Sequence, residues 1–301
     1  MALPSLLASP TRLFLPLLAL GLAACSPQQM MMRGVADQLA AQAQNAEDDL
    51  DLAREASAFY LKLSESVLRG QPEHTGLATA VAGGFTQYAY AFVAFEADRI
   101  ETTDARAAQR LRERAARLYL RARNHALNAL EKTRPGFRQA LESTAPGDWP
   151  RLEAHQVALA YWAAAAWGGA ISLSKDKPDL VADLPVALRL ARLAFEQDPS
   201  FGQGELMGLM ATFEAARPNG NLRQAAAWFD EAIRLSGGLS AGTYLAKAES
   251  IAQPAGDKSG FLALLDKALA IEDAPGSPRA LVNEVMRRRA LWLKESADDL
   301  F

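Results

Sequence analysis

Apolar residues recur along most of this chain at spacings of three and four residues, the pattern of helices that each bury one face. No window shows the alternation of apolar and polar residues that indicates a half-buried strand. Short breaks rich in Pro, Gly and Asp separate the periodic segments, because Pro cannot continue a helical hydrogen-bond ladder and Gly tolerates the conformation that ends one. The sequence therefore predicts an all-α protein, with helices over residues 50–69, 76–99, 104–131, 151–174, 184–197, 203–216, 221–236, 239–253, 258–270 and 277–297.

The sequence also shows a repeat whose period is much longer than a helical turn. Several predicted helices carry a small residue, a larger one four positions later and Ala three positions after that, as in the second helix of a tetratricopeptide repeat. Small residues let two helices cross closely, and the aromatic fills the gap beside them. Ala194, Ala232 and Ala268 each end such a set and lie 36 to 38 residues apart, near the repeat period of about 34. The matching sets are Ala115/Tyr119/Ala122, Ala187/Ala191/Ala194, Ala225/Phe229/Ala232 and, loosely, Phe261/Leu265/Ala268.

These sets predict an α-solenoid of helix pairs that resembles cryptic tetratricopeptide (TPR) repeats. A non-repetitive helical bundle is the alternative, because any one set is a weak signal in an Ala-rich chain.

The first two dozen residues have the features of an export signal. Arg12 precedes the apolar stretch Leu13–Leu22, which is too short for a helix to cross the roughly 30 Å hydrocarbon layer of a membrane. The stretch ends in Leu22-Ala23-Ala24-Cys25, which resembles the lipobox of bacterial lipoproteins. We therefore expect residues 1–24 to be a cleaved signal peptide and Cys25 to carry acyl chains such as palmitate.

Cys25 is the single cysteine of the chain, so no intramolecular disulfide can form. Ser26 follows it, where lipoproteins retained in the inner membrane carry Asp, so the resemblance favours a periplasm-facing protein anchored in the outer membrane. An ordinary signal ending by chance in Cys is the alternative. We expect residues 25–49 to be a lipidated N-terminus and tether, ordered only where it docks, and residues 50–301 to be the helical-repeat domain.

The net charge and the motifs of the sequence argue against several classes of function. The net charge of -3 argues against a nucleic-acid binder, which needs an excess of Lys and Arg. His74, His125 and His155 lack metal-ligand spacing, so we expect surface or capping roles for them. The sequence contains neither a Gly-x-Ser-x-Gly nucleophile motif nor a phosphate-binding Gly-rich loop. We therefore expect no enzymatic activity, no cofactor and no metal.

Two further features have structural interpretations. Asp183 is placed to cap the helix that starts near Leu184 by accepting a hydrogen bond from a free backbone N–H. The pairs Gly83-Gly84 and Gly168-Gly169 lie inside helical stretches, where they favour close helix packing. A wall at which a ligand approaches the backbone is the alternative for these glycines.

The aromatic residues are the candidates for ligand contact. Tyr88, Phe92 and Phe95 are spaced i, i+4, i+7 and share one helix face. Trp162 shares a face with Ala166 and Gly169, whereas Tyr161 and Trp167 are expected to point elsewhere. Core packing and the lining of an apolar channel both fit such stripes, and the sequence does not separate the two. The candidate channel-lining residues are Tyr88, Phe92, Phe95, Tyr161, Trp162 and Trp167.

A family resemblance runs from about residue 50 to the C-terminus. The chain resembles the TRAP-transporter-associated T component, the TatT lipoprotein family, where TRAP stands for tripartite ATP-independent periplasmic. The segments that carry it are Gly84–Phe92 with Glu96–Arg99, Arg117–Arg123, Pro135-Gly136-Phe137, Tyr161–Gly168, Val181–Pro185, Asp198–Gly202, Arg289-Ala290 and Asp298–Phe301.

The resemblance implies a periplasmic lipoprotein of cryptic tetratricopeptide repeats that forms homotrimers with a pore-like cavity in each subunit. It also implies binding to the periplasmic solute-binding protein of a TRAP transporter and the passing on of a hydrophobic solute. A helical-repeat scaffold lipoprotein of the outer membrane or envelope, with no ligand cavity, is the competing hypothesis. A periplasmic enzyme is the third, for which the sequence offers no acid–base or nucleophile set.

Overall fold

The computed structural model describes residues 27–42, 49–274 and 276–301. Cys25 and the leader before it lie outside these ranges, so the predicted lipidation site has no structural counterpart here. Within the ranges every regular element is a helix and there is no strand, which confirms the all-α fold. No helix in this part of the chain is long and apolar enough to cross a membrane.

The helices follow one another with short connections. Three-residue 3-10 turns lie at Pro146–Asp148, Ala154–Gln156 and Phe201–Gln203, and π-helical segments at Ala89–Ala94 and Ala248–Ala252. The α-helices are α1 (Pro27–Gln42), α2 (Leu50–Gly70), α3 (Thr75–Tyr88), α4 (Phe95–Ile100), α5 (Ala105–Thr133), α6 (Phe137–Glu142), α7 (Val157–Ser172), α8 (Pro178–Val181), α9 (Leu184–Gln197), α10 (Glu205–Ala216), α11 (Leu222–Leu235), α12 (Ala241–Lys247), α13 (Lys258–Leu269), α14 (Ala280–Glu295) and α15 (Ala297–Leu300).

The long helices form pairs, as the periodicity predicts. We call α3, α7, α10 and α12 the inner helices, because each packs against the next one in the row. We call α5, α9, α11 and α13 the outer helices, each of which packs against an inner helix before or after it. All four repeat sets found in the sequence lie on outer helices, and every member is at most 5% exposed. The small and aromatic positions therefore mark the buried face of the outer helices.

The largest boundary error is at α7, which the sequence predicts from residue 151. The chain stays extended there and turns helical only after Glu153, whose backbone N–H donates to the side chain of Gln156 at 2.9 Å. The segment treated as a tether contains helix α1. Its Ala36 and Leu39 are buried, and Asp37 lies 2.9 Å from Nε2 of His74, which fixes α1 to the start of α3. The Nδ1 atom of His74 also accepts the backbone N–H of Leu77, the capping role expected for it.

A buried ion cluster fastens α2 to the outer helix α5. Glu65 of α2 is 3% exposed, and its carboxylate accepts from Arg121 Nε at 2.5 Å and Lys62 Nζ at 2.6 Å. His125 Nε2 lies 2.8 Å from the same carboxylate. Burial alone would raise the pKa of Glu65, but these hydrogen bonds outweigh it and lower the pKa to about 2.

The row of helices closes on itself. Helix α14 packs against α13 and α12, and it also reaches α2 and α4 at the other end of the row. Trp292 of α14 stacks edge-on against Phe95 of α4, with ring centroids 5.9 Å apart, and Arg289 pairs with Asp98 at 2.8 Å. The stack is therefore a ring with an inward side rather than an open row.

Candidate functional site

Helix α7 has no charged residue, and it packs against α3, α5, α9 and α10. Most of its residues are buried, but Ala158, Tyr161, Trp162, Ala165, Gly168 and Gly169 remain partly exposed, and Ser172 is exposed. The first four lie at i, i+3, i+4 and i+7, so they form one stripe along the helix. A helix that is apolar all round is normally buried all round, and a partly exposed apolar stripe therefore calls for another explanation.

Helix α10 continues the pattern on the neighbouring inner helix. Its accessible residues include Glu205, Gly208, Leu209 and Thr212, again at i, i+3, i+4 and i+7, while Leu206, Met207, Met210 and Ala211 are buried. A Cβ atom added to Gly208 would meet no atom within 4 Å, so this stretch of the helix faces open space. We call the four residues of α7 and these four of α10 the inner stripe.

Tyr161 joins the two halves of the inner stripe. Its ring centroid lies 4.8 Å from that of Trp162 and 5.2 Å from that of Phe201, in the turn before α10. Burial raises the pKa of Tyr161, and the charge of Glu205 raises it further. Burial likewise raises the pKa of Glu205, although the side chain is exposed. We call the accessible space beside the inner stripe the recess, because a Cβ atom added to Gly208 would meet no atom within 4 Å there.

The six aromatic residues singled out in the sequence do not form one cluster. Tyr161 and Trp162 lie side by side on the inner stripe, so the expectation that Tyr161 points away from Trp162 was wrong. The reason is that side chains one position apart can meet at their tips when both are large rings. Tyr88 and Phe92 form a separate pair with centroids 5.4 Å apart, and Arg54 of α2 lies 5.5 Å from the Phe92 centroid.

Phe95 and Trp167 occupy packed positions. Phe95 is 8% exposed and rests on Trp292, while Trp167 is 5% exposed. The indole N–H of Trp167 donates to Asp183 at 3.1 Å, and the Arg123 guanidinium lies 4.7 Å from its ring. Asp183 is at the N-terminal end of α9 as expected, but the predicted capping hydrogen bond was wrong because the carboxylate is engaged by Trp167 and Arg123.

The pairs Gly83-Gly84 and Gly168-Gly169 allow close helix packing, which is the interpretation that the sequence favours. A Cβ atom on Gly83 would lie 2.8 Å from the indole of Trp162, and one on Gly84 would lie 2.5 Å from Leu61. Gly168 meets Phe213 in the same way, and Gly169 meets the ring of Tyr119. Gly83 therefore sets the position of Trp162 on the inner stripe.

Arg289 ties the closing helix to both π-helical segments. Its guanidinium pairs with Asp98 at 2.8 Å and with Glu249, in the second π segment, at 2.8 Å. It also lies 5.6 Å from the ring of Tyr90, in the first π segment. Burial alone would lower the pKa of Arg289, but these neighbours outweigh it and raise the pKa well above its ordinary value. π segments occur often at functional positions, and here both lie at the ring closure.

No group of three or more metal-ligating side chains occurs in the described ranges. The hydroxyls of Tyr90, Tyr119 and Tyr161 have no hydrogen-bond partner among the described residues, and burial raises the pKa of each above the ordinary range. Tyr161 is the one of these three that lies on the inner stripe, where a neutral hydroxyl can donate to a solute.

Sequence reasoning missed Glu205 and Gly208. Both lie in a predicted helix, and neither belongs to a motif. The available signal was composition: α10 and α7 carry small and apolar residues at positions where an outer helix carries charges.

Comparison with known proteins gives two findings. A family model described as TRAP transporter T-component matches residues 46–301. An uncharacterized protein of Treponema pallidum (strain Nichols) is 29% identical over 262 residues, which cover 85% of this chain and 81% of that protein.

Proposed function

This chain belongs to the TRAP transporter T-component family, and from that premise we propose that it is a non-enzymatic lipoprotein that passes a hydrophobic solute to or from the transporter's solute-binding protein. An accessory role in a TRAP transporter, in the periplasm or cell envelope, follows from the family itself. The observation that carries the finer proposal is the inner stripe, an accessible and mostly apolar surface on α7 and α10.

We assign the lining of the solute cavity to Tyr161, Trp162, Ala165 and Gly208, the aromatic and small residues of the inner stripe that are accessible. An apolar solute needs walls from which water is easily displaced, and these side chains offer rings and methyl groups. Tyr88 and Phe92, which are partly exposed on α3 and the first π segment, stay candidates in this proposal. Phe95 and Trp167, also candidates from the sequence, serve packing in this assignment because both are nearly fully buried.

A plug variant tests the cavity. Gly208→Leu places a side chain in space that holds no atom within 4 Å of the new Cβ, so it fills the recess without displacing a neighbour at that position. In isothermal titration calorimetry, the full-length lipoprotein in lipid nanodiscs should bind neopentylbenzene, with empty nanodiscs as the blank. Gly208→Leu should abolish that binding, and Gly70→Leu, also at a position without neighbours, should not.

The scaffold hypothesis makes the opposite prediction. Without a solute cavity, neopentylbenzene does not bind the wild type beyond the nanodisc blank, and the plug changes nothing. That result would end the proposal of a solute-passing role while leaving the family membership intact.

The partner is tested separately. The lipoprotein should co-purify with the TRAP solute-binding protein encoded in the same genome, and Gly208→Leu should leave this complex intact because the recess does not face outward. Failure to recover the binding protein under conditions that preserve the transporter would count against the partner assignment.

Lipidation of Cys25 is part of the proposal. We expect the mature chain to begin at Cys25 and to carry acyl chains that anchor it, by resemblance in the outer membrane. Metabolic labelling with a palmitate analogue should mark the wild type, whereas Cys25→Ala should be unlabelled and keep its leader.

We also propose that the chain forms homotrimers through α2. Leu52, Phe59 and Leu63 lie on one side of this helix and are 53%, 68% and 39% exposed, an apolar stripe suited to contact with a second copy. Phe59→Asp should convert the trimer into monomers in light scattering after chromatography. Leu222→Asp, at a position of similar kind on α11 that is 49% exposed, should not.

A further inference from the structure

Four arginines form a stripe along the outer helix α5. Arg106, Arg110, Arg114 and Arg117 lie at i, i+4, i+8 and i+11, spacings that place them on one side of the helix over about 17 Å. All four are exposed, and their guanidinium groups have no ion-pair or hydrogen-bond partner among the described residues. We call these four residues the arginine stripe.

The other arginines of this helix are engaged by the protein itself. Arg112, Arg121 and Arg123 pair with carboxylates of neighbouring segments, as Arg112 does with Asp98 at 3.5 Å and Arg121 with Glu65. Those pairs join α5 to the rest of the ring. The arginine stripe makes no such contact, so the fold gives no reason for it.

The stripe is a local excess of positive charge on a chain whose net charge is -3. It lies opposite the buried Ala115 and Ala122 and therefore points away from the core. Glu113, the acidic residue within it, accepts a hydrogen bond from Gln109 at 3.4 Å instead of pairing with an arginine. Like charges at i, i+4 repel each other and lower the stability of a helix. A surface that lowers stability and makes no internal contact favours an external partner of opposite charge.

We propose that the arginine stripe docks an acidic surface of the TRAP solute-binding protein. This inference rests on the partner proposed above and names the part of the ring that meets it. The planar guanidinium group forms paired hydrogen bonds with carboxylates, and arginine is enriched in protein interfaces.

The surroundings of the stripe favour a protein over a lipid surface. Guanidinium groups also bind phosphate, so anionic lipid headgroups are the competing partner. A helix that lies on a membrane carries exposed apolar side chains beside its basic ones. Within Ala105–Thr133 no large hydrophobic residue is exposed, and the residues among the arginines of the stripe on that side are the polar Gln109 and Glu113.

Association kinetics test the docking. The full-length lipoprotein is held in nanodiscs of neutral lipid, and the solute-binding protein encoded in the same genome is passed over it in surface plasmon resonance. We expect the association rate constant to fall about tenfold or more between about 50 and about 300 mM NaCl, because salt screens the attraction between the two charged surfaces.

Charge reversal assigns the effect to the stripe. Arg110→Glu combined with Arg114→Glu should lower the association rate constant at low salt about tenfold or more and remove most of its salt dependence. The corresponding double change to Gln should give a smaller loss in the same direction. Arg151→Glu combined with Arg223→Glu is the control, because both arginines are exposed, lie outside α5 and have no ion-pair partner among the described residues. It changes the net charge equally and should alter the rate constant less than about twofold.

The outcomes separate this inference from the partner assignment beneath it. A loss confined to the stripe variants supports the docking, whereas equal losses in the stripe and control variants would overturn it. Binding that responds neither to salt nor to charge reversal would also overturn it, while leaving the partner in place. No binding by the wild type would remove the partner assignment and the docking together. Capture of phosphatidylglycerol vesicles that is lost in the stripe variant, with unchanged partner binding, would assign the stripe to lipid headgroups and overturn the proposal.

Discussion

Helices α7 and α11 show how the inner and outer helices of this ring differ. Helix α11 buries Ala225, Phe229 and Ala232 and turns Arg223, Asp230 and Arg234 outward, with Leu222 as an exposed apolar residue at its start. Helix α7 has no charged residue, yet it still leaves Tyr161 and Trp162 partly accessible. Exposure on the outer helices follows from solubility. Exposure on the inner helices does not, and the proposed solute site accounts for it.

The strongest test of how the outer helices pack is truncation of Phe229, the buried aromatic residue of α11. Phe229→Ala should lower the free energy of unfolding by about 3–5 kcal/mol, because Phe229 is 0% exposed and its loss leaves a cavity. Urea denaturation followed by circular dichroism measures this. Leu222→Ala on the same helix, 49% exposed, should stay within about 0.5 kcal/mol. Similar losses at both positions would mean that α11 lacks the one-sided packing described here.

The next effect concerns the buried ion cluster around Glu65 that joins α2 to the outer helix α5. The pKa of Glu65 is about 2 in the folded protein, whereas an ordinary glutamate has a pKa of 4.5, so the contribution of Glu65 is fully present above pH 4.5 and is lost as pH falls toward 2. The two values correspond to about 3 kcal/mol of unfolding free energy.

Denaturation at a series of pH values should show that loss in the wild type and a much flatter profile in Glu65→Gln. Glu73→Gln, in an exposed turn, should keep the wild-type profile. An unchanged slope in Glu65→Gln would place the acid sensitivity elsewhere.

The smallest effect sharpens the comparison most, because it uses one substitution on two inner helices. Gly83→Ala should destabilise the fold by about 1–3 kcal/mol, since its Cβ would lie 2.8 Å from Trp162. Gly208→Ala should stabilise it by about 0.5–1 kcal/mol, because Ala favours a helix and the space there is open. A loss of stability at Gly208 would mean that the inner stripe is packed against protein.

Periodicity predicted most of the architecture correctly. The apolar spacing places α9 over residues 184–197, the same bounds that the structure has. The small and aromatic positions, such as Phe229, identify the buried faces of all four outer helices. These features are local, because spacing within one helix determines which residues share a face.

The site was less predictable because it depends on contacts between distant segments. The pairing of Arg289 with Asp98 joins residues 191 positions apart, and no local sequence pattern predicts it. Asp183 has the sequence context of a cap, but its carboxylate is engaged by Trp167 from the preceding inner helix. The aromatic residues were found, but whether Trp162 or Trp167 borders open space depends on which neighbouring helices cover them.

The closure by Arg289 also limits how this protein can change in length. A linear array of repeats can gain or lose a unit by duplication or deletion, because each unit contacts only its neighbours. In a circle, an inserted pair of helices would shift α14 away from α4 and leave Asp98 and Glu249 without their shared cation. The number of helix pairs is thus fixed by geometry, and sequence drift in descendants of this chain should alter turns and surfaces while the count stays constant.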